Sequence, residues 1–207
     1  MKVILIIIIT LVVLFLLFQL YTSIATSKTQ TQAYKVIRVE KQFELRYYPA
    51  AIMAKISSRS TSYFDLDYSV FGKLAKYIFG ENSQNKYIGM TSPVHMDMRD
   101  SMSTMAFVMP TKFTIDDLPT PDNAEIVIET SEPEYLAVIE FGGFATAASI
   151  RKHKALLENA LKDARLTHNG NFSYLGYNPP YQLFGRRNEI CVSVKLVFNN
   201  DKNETHE

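Results

Sequence analysis

The pattern of apolar and polar positions divides the chain into an apolar head and a body of mixed segments. Val3 to Leu20 is an uncharged run of 18 residues, interrupted only by Thr10 and Gln19. It reaches the length of about 18 at which a hydrophobic stretch reads as a membrane-spanning helix. Ser23-Ile24-Ala25 offers a small-residue cleavage site, so a cleaved signal segment is the rival reading, although signal cores are usually only about 7–15 residues. Residues 1–21 are therefore expected to be a transmembrane anchor or signal segment, 22–33 a polar linker, 34–198 the folded domain and 199–207 a polar tail. Lys2 on the short side keeps the N-terminus in the cytoplasm and places the domain of a single-pass membrane protein on the extracytoplasmic side. Cleavage would instead release it as a secreted or periplasmic protein.

Within the body, alternation at period two predicts strands over Tyr34–Glu40, Phe43–Tyr47, Ala50–Ser57, Val94–Arg99, Met102–Met109, Glu125–Thr130, Tyr135–Phe141 and Glu189–Phe198. Helical spacing appears over 62–79 and 149–166. The first helix has Ser62 as a candidate N-cap, with Asp65 reaching back, and Gly80 as its C-cap. It carries one stripe of Leu66, Val70, Leu74, Tyr77 and Ile78, and beside it a second of Phe64, Tyr68, Phe71, Ala75 and Phe79. One stripe suffices to pack on a sheet. The second helix has a single apolar side, built on Ile150, His153, Leu157, Ala160, Leu161 and Ala164, with no aromatic stripe. The surplus aromatics point to a groove beside the first helix; packing under a loop is the plainer alternative.

Two segments share the spacing Tyr, aliphatic, Gly, three residues, Pro: Tyr87 to Val94 and Tyr174 to Tyr181, 87 residues apart. Their flanks repeat the order strand, helix, turn. This predicts an internal duplication and an α+β fold of two halves, each with one helix.

The formal charge is +1 with no long run of one sign, so nothing suggests a nucleic-acid partner. Cys191 is the single cysteine, which excludes an internal disulfide. The chain lacks a G-x-S-x-G elbow, a phosphate-cradling loop and a His/carboxylate cluster, so no enzymatic chemistry is indicated. Glu140 interrupts the apolar strand Val138 to Phe141; it reads either as an outward-facing strand residue or as a counter-charge for a cationic ligand.

Several stretches taken in order resemble the SOUL haem-binding protein family: Phe43-Glu44-Leu45-Arg46-Tyr47-Tyr48-Pro49, Met90-Thr91-Ser92-Pro93-Val94, Phe107-Val108-Met109-Pro110, and Tyr177-Asn178-Pro179-Pro180 followed by Arg186-Arg187-Asn188-Glu189-Ile190. The resemblance implies a distorted β-barrel of two pseudo-symmetric halves, each with one packed α-helix, here preceded by an N-terminal transmembrane helix. It implies non-covalent binding of haem or another tetrapyrrole in a groove beside the first helix. Phe64, Tyr68, Phe71 and Phe79 occupy that position, with Met90 next to it and Tyr181, Phe184 and Arg186 as a second wall. Haem needs apolar walls, cations near its propionates and, optionally, an axial ligand. Arg59, Lys73, Lys76 and Arg186 are the candidate cations, and His95 is the candidate metal ligand, with Met90 or Tyr68 as substitutes. Other readings left open are a module for a different hydrophobic or cationic molecule, with Glu140 as counter-charge, and a domain whose aromatic stripe docks a protein partner.

Overall fold

The protein was analysed as a computed structural model that describes residues 1–58, 68–98 and 102–196; the side chains of Tyr68 and Met98 also lie outside the description. The apolar head forms one helix, α1 (Lys2–Ser27), long and apolar enough by length and composition to cross a membrane. It runs through Ser27, and Gln30–Thr31 (β1) then pairs in parallel with Thr91–Ser92 (β5), so most of the stretch 22–33 has regular structure.

Among the described residues the body is a nine-stranded sheet with two α-helices. In chain order the remaining elements are β2 (Lys35–Val39), β3 (Glu44–Tyr48), β4 (Ile52–Ser58), α2 (Tyr68–Ile78), β6 (Val94–Met98), β7 (Ser103–Val108), β8 (Val127–Thr130), β9 (Glu134–Phe141), α3 (Ala147–Asp163), β10 (His168–Gly176) and β11 (Asn188–Val194). The sheet order is β2-β3-β9-β11-β10-β6-β7-β4-β8, and every recorded pairing in it is antiparallel. Among the described residues no pairing closes the expected barrel: β2 and β8 are the two edges of the sheet and do not pair with each other. All five residues of β2 are exposed, as an outer edge strand requires. The two Gly-x-x-x-Pro segments also sit in different settings. Gly89 lies in a loop with φ +100, whereas Gly176 closes β10.

Side-chain alternation decides where the helices lie. Ile56, Met105, Met96, Tyr174, Ile190 and Ile139 are successive register partners across six strands, and all belong to or pack against the two helix-facing cores. Both helices therefore cover one face of the sheet, α2 over β4 and β7, α3 over β9 and β11. Val70, Leu74, Tyr77 and Ile78 bury one side of α2, and Ile150, Leu157, Ala160 and Leu161 one side of α3.

The helices end in the same way. At α2 the Glu81 N–H donates to the Lys76 carbonyl (2.9 Å) and Gly80 N–H to that of Tyr77 (3.4 Å), with Gly80 at φ +117. At α3 Leu166 N–H donates to the Leu161 carbonyl (3.0 Å) and Arg165 N–H to that of Lys162 (3.0 Å), with Arg165 at φ +55. Both are Schellman closures, one using glycine and one forcing an arginine into the left-handed region. The predicted N-cap of the first helix, Ser62 with Asp65, lies outside the described residues. α3 starts two residues before the predicted boundary, capped by Thr146, whose hydroxyl accepts from the Ser149 N–H.

Candidate functional site

The outer flank of α2 is apolar where a packed helix is usually polar. Phe71 is 38% exposed and meets Phe107 of β7 edge-on at 5.2 Å; Phe79 is 56% exposed and stacks on Tyr87 at 5.6 Å. Tyr87 is itself 66% exposed. Phe71 and Phe79 are separated by about 12 Å along the helix at 1.5 Å per residue. Met90 is half-buried against the α2 core. The turn between helix and Tyr87 is organised by buried Asn82. Its Nδ2 donates to the carbonyls of Tyr77 (2.9 Å) and Lys86 (2.8 Å), while its Oδ1 accepts from the N–H of Lys86 (3.0 Å). One side chain thus satisfies the turn's backbone and sets Tyr87 beside Phe79.

Of the predicted wall residues, Phe64 lies outside the described residues, and Tyr68 is placed only as the first residue of α2. Tyr181, Phe184 and Arg186 lie in the 177–187 loop, which follows β10. Arg186 Nη1 donates to the carbonyls of Pro179 and Gln182 (2.7 Å each), and its guanidinium lies 4.4 Å over Phe144. Tyr181 meets Phe18 of α1 at 6.0 Å. Among the described residues no hydrogen bond, ion pair or ring contact joins this set to the α2 aromatics. Of the candidate cations, Lys73 pairs with Glu125 (2.6 Å) and Lys76 with Glu81 (3.1 Å). Arg59 lies outside the described residues.

His95 faces away from α2. It alternates with Val94 and Met96 on β6, and its Nε2 shares a 2.7 Å hydrogen bond with Gln32 Oε1. Burial pushes its pKa down to about 4 against the opposing pull of Asp97 and Glu189, so the ring is neutral at pH 7. Ligating an iron beside α2 would require His95 to reach through the sheet. His153 is also engaged, its Nδ1 on the Ser149 carbonyl (2.7 Å) and its ring stacked on Phe141 (4.1 Å).

The face of the sheet opposite the helices holds a charged network that pattern reading missed. Glu189 is fully buried between Arg46 (2.9 Å) and Arg187 (2.6 Å) and accepts from the Tyr177 hydroxyl (2.8 Å). Burial and the Glu189 charge hold the Tyr177 and Tyr48 hydroxyls well above the ordinary range. Burial pulls Arg46 and Arg187 down, but Glu189 and the surrounding hydrogen bonds outweigh it and hold both above their usual values. Glu140, the proposed counter-charge, is exposed and pairs with Arg187 at 3.2 Å. Glu189 is compensated by two arginines inside the sheet, whereas Glu140 shares Arg187 at the surface. Buried Cys191 sits in the same face, its thiol pushed up by burial and by Glu189. That state is unreactive. A pocket of about 230 Å³ between residues 30–33 and the start of β4, walled by Thr91, Met109 and Phe113, is below the roughly 300–1,000 Å³ of ordinary ligand pockets.

Comparison with known proteins places this architecture. Residues 29–193 match the family described as SOUL heme-binding protein, and the chain belongs to that family. It is 33% identical over 125 residues to heme-binding protein 1 of Xenopus laevis, covering 57% of this chain and 65% of that protein. It is 27% identical over 161 residues to heme-binding protein 2 of Homo sapiens, covering 74% and 78%. The chain thus spans just under two thirds of the first of these relatives. Among solved structures, the C-terminal domain of EcmrR superposes with a TM-score of 0.54 at 12% identity, covering 75% of this chain and 98% of that one. A hydrolase from Listeria innocua superposes at 0.53 with 9% identity, covering 77% and 94%. These two likenesses show a shared fold.

Proposed function

We propose that this chain binds haem or a related tetrapyrrole non-covalently against the flank of α2. We further propose that α1 anchors the domain to a membrane with the domain on the extracytoplasmic side, where it captures, buffers or delivers the ligand. The observation that carries the reading is the row Phe71, Phe79 and Tyr87, apolar and open to solvent on a helix whose other side is fully packed, in a chain of the SOUL family. Exposed apolar patches on a folded domain mark binding surfaces. A tetrapyrrole supplies a flat apolar ring, two propionates and a metal centre. Phe71, Phe79 and Met90 would cover the ring, with Phe64 and Tyr68 as further contacts that the sequence stripe proposes. Lys73 and Lys76 lie on α2 within reach of solvent, where a propionate would compete with Glu125 and Glu81. Binding by apolar burial without a histidine ligand agrees with the engagement of His95 and His153 by the protein.

The test is a haemin titration of the full chain followed at the Soret band. A saturable one-to-one shift is expected. Phe71→Ala or Phe79→Ala should each weaken binding about tenfold, because losing half the burial of a phenylalanine costs on the order of 1.4 kcal/mol. Phe184→Ala should leave the affinity unchanged. A non-saturating response, or loss only with Phe184→Ala, would remove the α2 site.

A further inference from the structure

α1 does not merely precede the domain; it is clamped to it through Gln19. This side chain interrupts the apolar run yet is buried. Its Nε2 donates to the Tyr181 carbonyl (3.1 Å) and its Oε1 accepts from the Leu183 N–H (2.9 Å). The amide therefore pairs with the loop backbone at two points, and no polar group is stranded on an otherwise apolar helix. Two turns later Thr26 donates to Gln182 Oε1 (2.8 Å). Gln182 in turn donates to the Phe184 carbonyl (2.9 Å) and Arg186 closes the loop from behind. The loop is tied by these hydrogen bonds, yet it exposes Tyr181 (57%), Leu183 (41%) and Phe184 (63%).

The position of the clamp gives this patch a meaning. Val3 to Leu20 rises about 27 Å at 1.5 Å per residue, close to the roughly 30 Å thickness of a bilayer's hydrocarbon core. Gln19 is the last residue but one of that run. The loop it holds is therefore level with the edge of the hydrocarbon, where aromatic side chains are favoured. We infer that the tip of the 177–187 loop, with Tyr181, Leu183 and Phe184, inserts into the interface of the bilayer that α1 crosses, seating the domain on the membrane in one orientation. This rests on α1 spanning the bilayer. Its occupant is the lipid surface, because the patch is continuous with the helix that enters it.

The chain contains no tryptophan, so one introduced tryptophan is the sole reporter. Full-length Phe184→Trp and Leu11→Trp would be reconstituted, without haem, in phosphatidylcholine vesicles brominated at shallow or deep acyl positions. Leu11→Trp should be quenched by deep bromines. Phe184→Trp should be blue-shifted, quenched by shallow bromines and shielded from aqueous iodide; adding Gln19→Ala should diminish that quenching. Quenching of Leu11→Trp without quenching of Phe184→Trp would overturn the inference and leave the span intact. No quenching of Leu11→Trp would overturn both. Phe184→Trp shielded from iodide but untouched by either lipid would show a protein contact instead, and would also overturn it.

Discussion

α2 and α3 occupy comparable places, each packed on the same face of one sheet, but only α2 carries exposed aromatics. α3 turns Arg151, Lys152, Glu158 and Lys162 outward, the ordinary composition of a helix whose work ends at the sheet. α2 shows Phe71 and Phe79, with Tyr87 delivered to them by the Asn82 turn. Packing therefore explains the inner sides of both helices and the outer side of only one. What remains unexplained by packing is what a ligand would use.

The comparison is sharpened first by showing that the inner sides are equivalent. Leu74 and Leu157 are both wholly buried. Leu74→Ala and Leu157→Ala should each lower stability by about 3 kcal/mol in denaturant unfolding. A large loss at one helix and none at the other would break the equivalence on which the contrast depends. The next test separates the two faces of the sheet. His95 has a folded pKa near 4 and an ordinary value of 6.5, so below pH 6.5 the unfolded chain takes up its proton first. The stability held at neutral pH should fall by up to about 3 kcal/mol between pH 6.5 and 4. His95→Gln should flatten that slope while leaving the Soret position of bound haem unmoved. A shifted band would put His95 on the iron.

Smaller effects test the two outer surfaces and the helix ends. Phe79→Ser should weaken haemin binding about tenfold with little change in stability, whereas Lys152→Ser on α3 should change neither. At the helix ends the signs oppose. Gly80→Ala should cost about 1 kcal/mol, because φ +117 is unfavourable for a side chain. Arg165→Gly should gain about 0.5 kcal/mol by relieving a left-handed arginine, offset in part by glycine's unfolded-state entropy. Thermal unfolding resolves both.

Much of this contrast is legible in the residues. The spacing of Val70, Leu74, Tyr77 and Ile78 sets the buried side of α2, and Phe71 and Phe79 fall outside it. Gly80 announces the closure that ends the helix. The pattern predicts no strand at β10, because Asn169-Gly170-Asn171 has the composition of a turn; the strand accommodates it with a register shift between His168 and Phe172 and with Gly170 at φ +81. The Arg46–Glu189 pair joins residues 143 apart, a relation that periodicity within a strand cannot express. The open sheet edges depend on whether β2 meets β8, again a long-range property. The contacts of Tyr181 with Phe18 of α1 and of Arg186 with Phe144 likewise join residues far apart in sequence, which periodicity does not express.

The central claim is that the α2 flank, and not its counterpart, receives the tetrapyrrole. Hydrogen exchange of the full chain with and without haemin tests it most directly. Added protection should appear over residues 68–91 and be absent over 147–163. Protection confined to 177–187, or distributed equally over both helices, would contradict the account.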